Sequence, residues 1–495
     1  MSSTSLTLSR RSLLGSGIAM AALPLPALAQ NPAPLDPQSA AVLALFEPSA
    51  GPQGRAAFHA ERLSPAGQQR WALAPFERVF GEIADLSGGF DFVAADRRGA
   101  TLWLTVRARR QQVERTLRVR IDREDATRIF DVLASPTPTP FAGPLPQGPI
   151  APADLPALVA NRIAFSAMRD EFSGVCRIVA PSGEVAYEAA FGLASRAPEV
   201  PNTPATRFHL GSADKSFTAL LVARLVAEGR LTFDTALADV LPDYPNADFA
   251  HACTIRHLLS HSAGLGMLFN RPGYHGDKPY SRVSELLSSF AAEPPAFAPG
   301  SGAAYSNEGF VVLGAVAERI TGESWYDLLD RHVYRRAGMQ ASGHFLHQQL
   351  PERVAVGYRY HQDDHLGLAP RRPNDDFRGY RGNSCGGGYS TVADMTAYLR
   401  ALRAGKLLDR ALLGQMVVQQ PGGLGEYGLG FMVEPLAEGR TLIGHGGGGP
   451  HSGVDGMNGI IWETGWAFSV LGNYDAPFAG TVADDIAAML ARLPG

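Results

Sequence analysis

Residues 208–229 constrain this chain more than any other stretch. Phe217, Leu220, Leu221, Leu225 and Val226 recur at helical spacing, and Gly229 ends the run. Directly ahead stands Phe208-His209-Leu210-Gly211-Ser212-Ala213-Asp214-Lys215-Ser216. The spacing predicts a largely buried helix opening near Ser212. Positions i and i+3 share a helix face, which sets Lys215 beside the Ser212 hydroxyl. Burial disfavours a charged ammonium, so a lysine in that place can serve as a base. A base next to a hydroxyl is the minimum equipment of a nucleophilic serine. Taken alone, Ser-x-x-Lys equally describes a helix start with a snorkelling lysine.

Two further segments add chemistry. Phe297-Ala298-Pro299-Gly300 leads into Tyr305-Ser306-Asn307, followed by Phe310, Leu313, Val316 and Ile320 at helical spacing. Much later comes Gly444-His445-Gly446-Gly447-Gly448-Gly449-Pro450. A tyrosine can relay protons to a serine and a leaving group. An asparagine amide can orient a substrate carbonyl. A glycine-rich strand end can bring backbone N–H groups against an oxyanion. Each segment also has a plain reading, a core tyrosine or a simple loop. Together and in this order they point to one site.

The order and flanking words resemble the serine β-lactamase and penicillin-recognising family, nearest to its class C branch, family VIII esterases and DD-peptidase-like members. The likeness covers roughly residues 155–495 and includes Thr254-Ile255-Arg256-His257-Leu258-Leu259-Ser260-His261-Ser262-Ala263-Gly264-Leu265, Tyr427-Gly428-Leu429-Gly430-Phe431 and Leu471-Gly472-Asn473. The resemblance implies an acylated nucleophile at Ser212, its base partner at Lys215 and a second proton-transfer group at Tyr305. It implies a substrate-amide contact at Asn307, a third-motif strand at His445 and Gly447, and an oxyanion hole from the N–H groups of Ser212 and Gly448. It further implies an α+β fold: an antiparallel sheet flanked by helices, with a helical subdomain. Where a β-lactamase of this family carries Lys-Thr-Gly, this chain has His445-Gly446-Gly447. The groups that would hold a β-lactam carboxylate are missing, so a neutral ester, small amide or peptide is the easier substrate. The expected protein is a cofactor-free serine hydrolase, esterase-like or D-peptidase-like. The alternatives are a non-hydrolytic penicillin-binding or cell-wall-sensing protein on the same fold, and a true class C-type β-lactamase.

Other chemistries fit less well. Gly382-Asn383-Ser384-Cys385-Gly386 matches the nucleophile elbow Gly-x-Ser-x-Gly. The stretch before it is polar and proline-broken, whereas an elbow follows a buried strand. The glycine motif also follows Ser384 in the chain, where the elbow fold puts it first. A glycine-rich turn before a helix at 391–402 fits better. His257 and His261 are spaced i, i+4 without the glutamate of a zinc-protease helix, Asp363-Asp364-His365 reads as a turn, and no cysteine pair has ligand spacing. With 44 basic against 48 acidic residues, a nucleic-acid surface is not indicated.

At 495 residues the chain is long enough for two units. Residues 1–29 read as a twin-arginine signal peptide: Ser9-Arg10-Arg11-Ser12-Leu13-Leu14, an apolar stretch, then Ala27-Leu28-Ala29. Gly15, Gly17, Pro24 and Pro26 argue against a spanning helix, and no later run reaches the roughly 20 apolar residues a span requires. Residues 30–134 read as a small α+β domain, with a helix from Phe76 to Leu86 and strands around Leu102–Val106 and Leu117–Ile121. Residues 135–152, with seven prolines, read as a semi-rigid linker. Residues 153–495 carry the candidate site. There a hairpin is read at 174–180 and 184–191 and strands at 427–434, 440–445, 457–462 and 466–471; the resemblance implies that both ends join in one antiparallel sheet. Cys176, Cys253 and Cys385 make an odd count that leaves at least one thiol free.

The expected location is the periplasm or the exterior. Changing Arg10 and Arg11 together to lysine should strand precursor in the cytoplasm, as measured by fractionation and immunoblot. Unimpaired export of that double variant contradicts the twin-arginine reading.

Overall fold

The computed structural model describes residues 36–494, apart from 134–135, 142–144, 147, 271–277, 362 and 376–377. The signal-peptide reading of residues 1–29 lies outside the described residues.

The carboxy-terminal unit is built on a six-stranded antiparallel sheet. Its order is Met432–Pro435, Thr441–Gly449, Val454–Ile461, Ala467–Gly472, Gly174–Val179 and Val185–Phe191. Both ends of the segment thus share one sheet. Every residue of Val454–Ile461 and Ala467–Gly472 is buried, because helices cover both faces. Leu155–Met168 and Phe478–Leu490 pack on one side, where Val159, Ile163, Phe468, Ile486 and Leu490 form a core. Val392–Arg403 and Asp214–Ala227 belong to the core of the other side. The helical subdomain, with Glu308–Thr321 at its centre, closes over that second face. Eleven of the fourteen residues of Asp214–Ala227 are buried, as the apolar spacing required. Cys176, Cys253 and Cys385 are all buried and unpaired.

The final strands differ from the expected bounds. Tyr427 to Phe431 is a turn, held by the Gly428 N–H on the Phe431 carbonyl, so the edge strand is only Met432–Pro435. Conversely, the strand expected to end at His445 continues through the glycine run to Gly449, paired throughout with Val454–Ile461. Glycine has a poor intrinsic strand preference; the neighbouring strand supplies the order.

The amino-terminal unit stacks helices Pro37–Leu45, Gly51–Arg62, Pro65–Arg70 and Leu73–Ser87 on a four-stranded antiparallel meander. Its strands are Phe90–Arg98, Thr101–Ala108, Glu114–Ile121 and Ile129–Leu133. Phe46, Phe76, Phe80, Leu104 and Val119 centre its core. Leu366 and Leu368, from the other unit, belong to the same apolar cluster. Arg115 donates to the carbonyls of Leu366 and Gly367 at 3.0 and 2.9 Å. Asp364 braces the loop by accepting the N–H groups of Leu368 and Ala369, both at 2.8 Å. The proline-rich stretch is not a bare spacer either. Residues 136–139 are buried, and Thr139 donates its hydroxyl to Glu171 at 2.6 Å.

Leu366 is 1% exposed. Leu366→Ala should lower the unfolding free energy by about 2–4 kcal/mol, the usual loss for truncating a buried leucine, in urea titrations of the whole protein. A change below about 0.5 kcal/mol, the size of an ordinary surface substitution, would mean that the loop contributes nothing to that core.

Candidate active site

Ser212 sits in the 3-10 turn Gly211–Ala213, two residues ahead of Asp214, the first residue of the helix Asp214–Ala227. Lys215, in the first turn, is completely buried. Its Nζ lies 3.1 Å from Ser212 Oγ, 2.7 Å from Asn307 Oδ1 and 2.6 Å from the Cys385 carbonyl oxygen. The amide and carbonyl oxygens only accept, so they take two N–H bonds. The third contact joins Nζ to a hydroxyl, which is able to donate. As an ammonium Lys215 donates to all three oxygens; once it gives up a proton, the two acceptor-only oxygens keep its N–H bonds and its lone pair faces the Ser212 hydroxyl.

Asn307 is the N-cap of helix Glu308–Thr321, but its side chain does not cap that helix. Its oxygen is spent on Lys215, and its Nδ2 lies 3.7 Å from Met267 Sδ. The expected substrate-amide contact is thus first a lysine contact, and the NH2 edge is what remains for a ligand. Tyr305 borders the same cleft, its ring centroid 4.8 Å from Lys215 Nζ.

The glycine strand closes the site from the other side. A Cβ on Gly447 would fall 1.8 Å from the Leu210 carbonyl oxygen and 2.8 Å from Ser212 N. Only glycine lets the strand come this close. Gly448, at φ +138, would drive a Cβ to 2.1 Å from the Val454 carbonyl. The two backbones that carry the candidate oxyanion donors, Ser212 and Gly448, are thereby brought together. Ser212, Tyr305, Asn307, His445, Gly447 and Gly448 all border one cleft of about 630 Å³, a volume suited to a small molecule.

His445 lies on this same glycine strand. Its Nδ1 meets the Gly446 carbonyl oxygen at 2.6 Å and its Nε2 meets the Tyr427 hydroxyl at 2.8 Å. A carbonyl only accepts, so the ring proton sits on Nδ1 and Nε2 accepts from the phenol. Both nitrogens are occupied. Burial, reinforced by the Lys215 charge, pushes the imidazole down to about 3. His445 is a neutral strut, not an acid waiting for substrate.

The alternative serine is out of reach of this chemistry. Ser384 is fully buried and its Oγ has no partner. Its segment does something that no motif announced: the next residue, Cys385, offers its carbonyl to Lys215. Asp214 was likewise missed. It is buried, accepts the Gly388 N–H at 2.6 Å and contacts His344 Nε2 at 3.1 Å, tying that loop to the helix start. A buried acid between Ser212 and Lys215 was its available signal. The histidine pair is no metal site: the Nδ1 atoms of His257 and His261 accept the N–H groups of Thr254 and Ser306. Among the described residues no cluster of three metal-ligating side chains occurs.

Histidines held neutral make stability pH-dependent. His445 and His209, the latter pushed by burial down to about 4, titrate lower in the folded protein than near 6.5 in the unfolded chain. The unfolded chain binds more protons below 6.5, so this contribution is complete above pH 6.5 and is lost as pH falls toward 3. Urea midpoints should drop across that window, and His445→Gln should make the drop shallower. An equally steep acid limb in that variant contradicts the assignment.

The family described as Beta-lactamase matches residues 159–492. Esterase EstB of Burkholderia gladioli is 39% identical over 198 residues, covering 37% of this chain and 50% of that protein. Penicillin-binding protein 4 of Amycolatopsis lactamdurans is 33% identical over 198 residues, 39% of this chain and 51% of that one. The chain spans about half the length of these two relatives. A penicillin-binding protein structure from Bacillus halodurans superposes with a TM-score of 0.58 at 28% identity, covering 66% of this chain and 98% of that one. No helix among the described residues is long and apolar enough to cross a membrane. With the sheet order, the Ser212–Lys215 pair and the glycine strand in place, the match over residues 159–492 makes this chain a member of the beta-lactamase family.

Proposed function

We propose that the protein is an exported serine hydrolase that cleaves a small ester or amide through an acyl-enzyme. The observation that carries this reading is the 3.1 Å contact between Lys215 Nζ and Ser212 Oγ, with the two remaining lysine contacts on acceptor-only oxygens. Lys215 takes the Ser212 proton as Oγ attacks the carbonyl carbon. The N–H groups of Ser212 and Gly448 receive the developing oxyanion. Tyr305 passes a proton to the leaving group. Water then attacks the acyl carbon and gives a proton back to Tyr305, while Lys215 returns its proton to Ser212 Oγ as the acid leaves. His445 moves no proton in this scheme; it stiffens the strand that bears Gly448.

The cleft favours uncharged, partly apolar substrates. Met267 and Phe269 are exposed at 39% and 49% beside it, and Phe345 also borders it. The third motif offers a neutral imidazole with both nitrogens engaged, and no lysine. Arg378 and Arg381 also border the cleft; Arg378 pairs with Asp375, and Arg381 donates to the His344 carbonyl with its guanidinium over the Tyr326 ring. A charge-assisted hydrogen bond to a carboxylate contributes about 1.5–3 kcal/mol, roughly one to two powers of ten in specificity. Short acyl esters do not need it; β-lactams do.

Ser212→Ala should lower kcat/KM on p-nitrophenyl esters by at least about a thousandfold, while Ser384→Ala stays near wild type. Short esters should be turned over with higher kcat/KM than a chromogenic cephalosporin. Activity that survives Ser212→Ala overturns the reading. A burst of one product equivalent without turnover assigns the protein to penicillin binding, and faster cephalosporin than ester cleavage assigns it to antibiotic hydrolysis.

A further inference from the structure

His261 lies outside the scheme above, yet it grips the segment that carries Tyr305 at three points. It follows the short helix Ile255–Leu259 and is 1% exposed. Its carbonyl oxygen accepts the Ala304 N–H at 3.0 Å. Its Nδ1 accepts the Ser306 N–H at 3.0 Å. Between those two bonds its ring stacks on Tyr305, with centroids 4.4 Å apart and planes inclined by 29°. Beyond it stands Tyr427, centroid 4.7 Å away, whose hydroxyl holds His445. One aromatic file thus runs from Tyr305 through His261 and Tyr427 to the strand of the candidate oxyanion hole.

The local geometry suits histidine and little else. The backbone is in the left-handed region, at φ +59. A non-glycine residue stays there only when its surroundings over-determine it. The ring must be flat, to stack, and must carry an in-plane acceptor, to receive an N–H. Phenylalanine supplies the first property alone. Asparagine supplies the second and tolerates the left-handed backbone. Because Nδ1 accepts, the ring proton is on Nε2, and that atom is buried without a partner. An orphaned N–H is costly, and the site keeps it while retaining the acceptor on the other ring nitrogen.

We propose that His261 is the positioning residue for Tyr305, holding the phenol at the angle from which it serves the leaving group. The proposal rests on the serine-hydrolase reading. A misplacement of about 1 Å can cost a hundredfold in rate without touching the reacting atoms.

The test is a double-mutant cycle on p-nitrophenyl butyrate, with melting temperature recorded for each protein. His261→Phe should lower kcat by about ten- to a hundredfold, with KM within about threefold. His261→Asn, which keeps the acceptor, should lose less than His261→Phe. In a Tyr305→Phe background, where the hydroxyl is already absent, His261→Phe should cost less than about twofold. A merely structural role predicts the same loss in both backgrounds. Equal losses overturn the proposal, as does a wild-type kcat in His261→Phe. If His261→Phe does not fold, His261→Asn enters the same cycle: a loss confined to the Tyr305 background supports the proposal, and an additive loss overturns it. Ester cleavage that persists in Ser212→Ala, assayed alongside, would sink the hydrolase reading itself and is read separately from the cycle.

Discussion

The buried amino group of Lys215 organises this protein. Removing a charged or strongly polar head from water is expensive unless every donor finds an acceptor. Here the acceptors come from three places far apart in sequence: Ser212 at the helix start, Asn307 ahead of the next long helix, and the Cys385 carbonyl in a glycine-rich turn. Satisfying one side chain therefore fixes three walls of the cleft. The same charge depresses the protonation of His445 and His261, after burial as the larger cause. A single lysine sets both the shape and the electrostatics of the site.

The neutrality of the two histidines follows from that arrangement and gives them mechanical roles. His445 joins the glycine strand to Tyr427, and His261 joins Tyr427 to the Tyr305 segment. A protonated ring at either place would present a donor where an acceptor is needed. The glycine strand and the Tyr305 phenol are thus linked by rings and hydrogen bonds that make no demand on pH near neutrality. Such linkage is the preorganisation that the proposed oxyanion stabilisation requires.

Much of this was legible in the chain. The i, i+3 spacing of Ser212 and Lys215 and the apolar run behind them foretold both the helix and the contact. Tyr305 and Asn307 were placed by resemblance, since their own surroundings carry no unique pattern. The Cys385 carbonyl was invisible, because every residue has a carbonyl and only the fold selects one. The burial of His445 was equally hidden, because it is a property of neighbours contributed by other strands. The extension of its strand through four glycines was hidden for a like reason, since pairing with Val454–Ile461 overrode a poor local preference. In the amino-terminal unit, period-two alternation marked two strands correctly, yet nothing near Leu366 or Leu368 signalled that they pack into a core begun more than two hundred residues earlier.

That last contact gives the molecule a clock. The final strand of the first unit ends at Leu133, and Leu366 lies roughly 230 residues further on. At synthesis rates of roughly 5–20 residues per second, the ribosome needs roughly 10–50 s to supply it. Until then the first unit lacks the two leucines of its apolar cluster and the carbonyls of Leu366 and Gly367 that Arg115 meets in the finished protein. The unit made first is completed only after the cleft's serine, lysine, tyrosine and asparagine have been synthesised, so its finished core is a physical record that most of the second unit has been made.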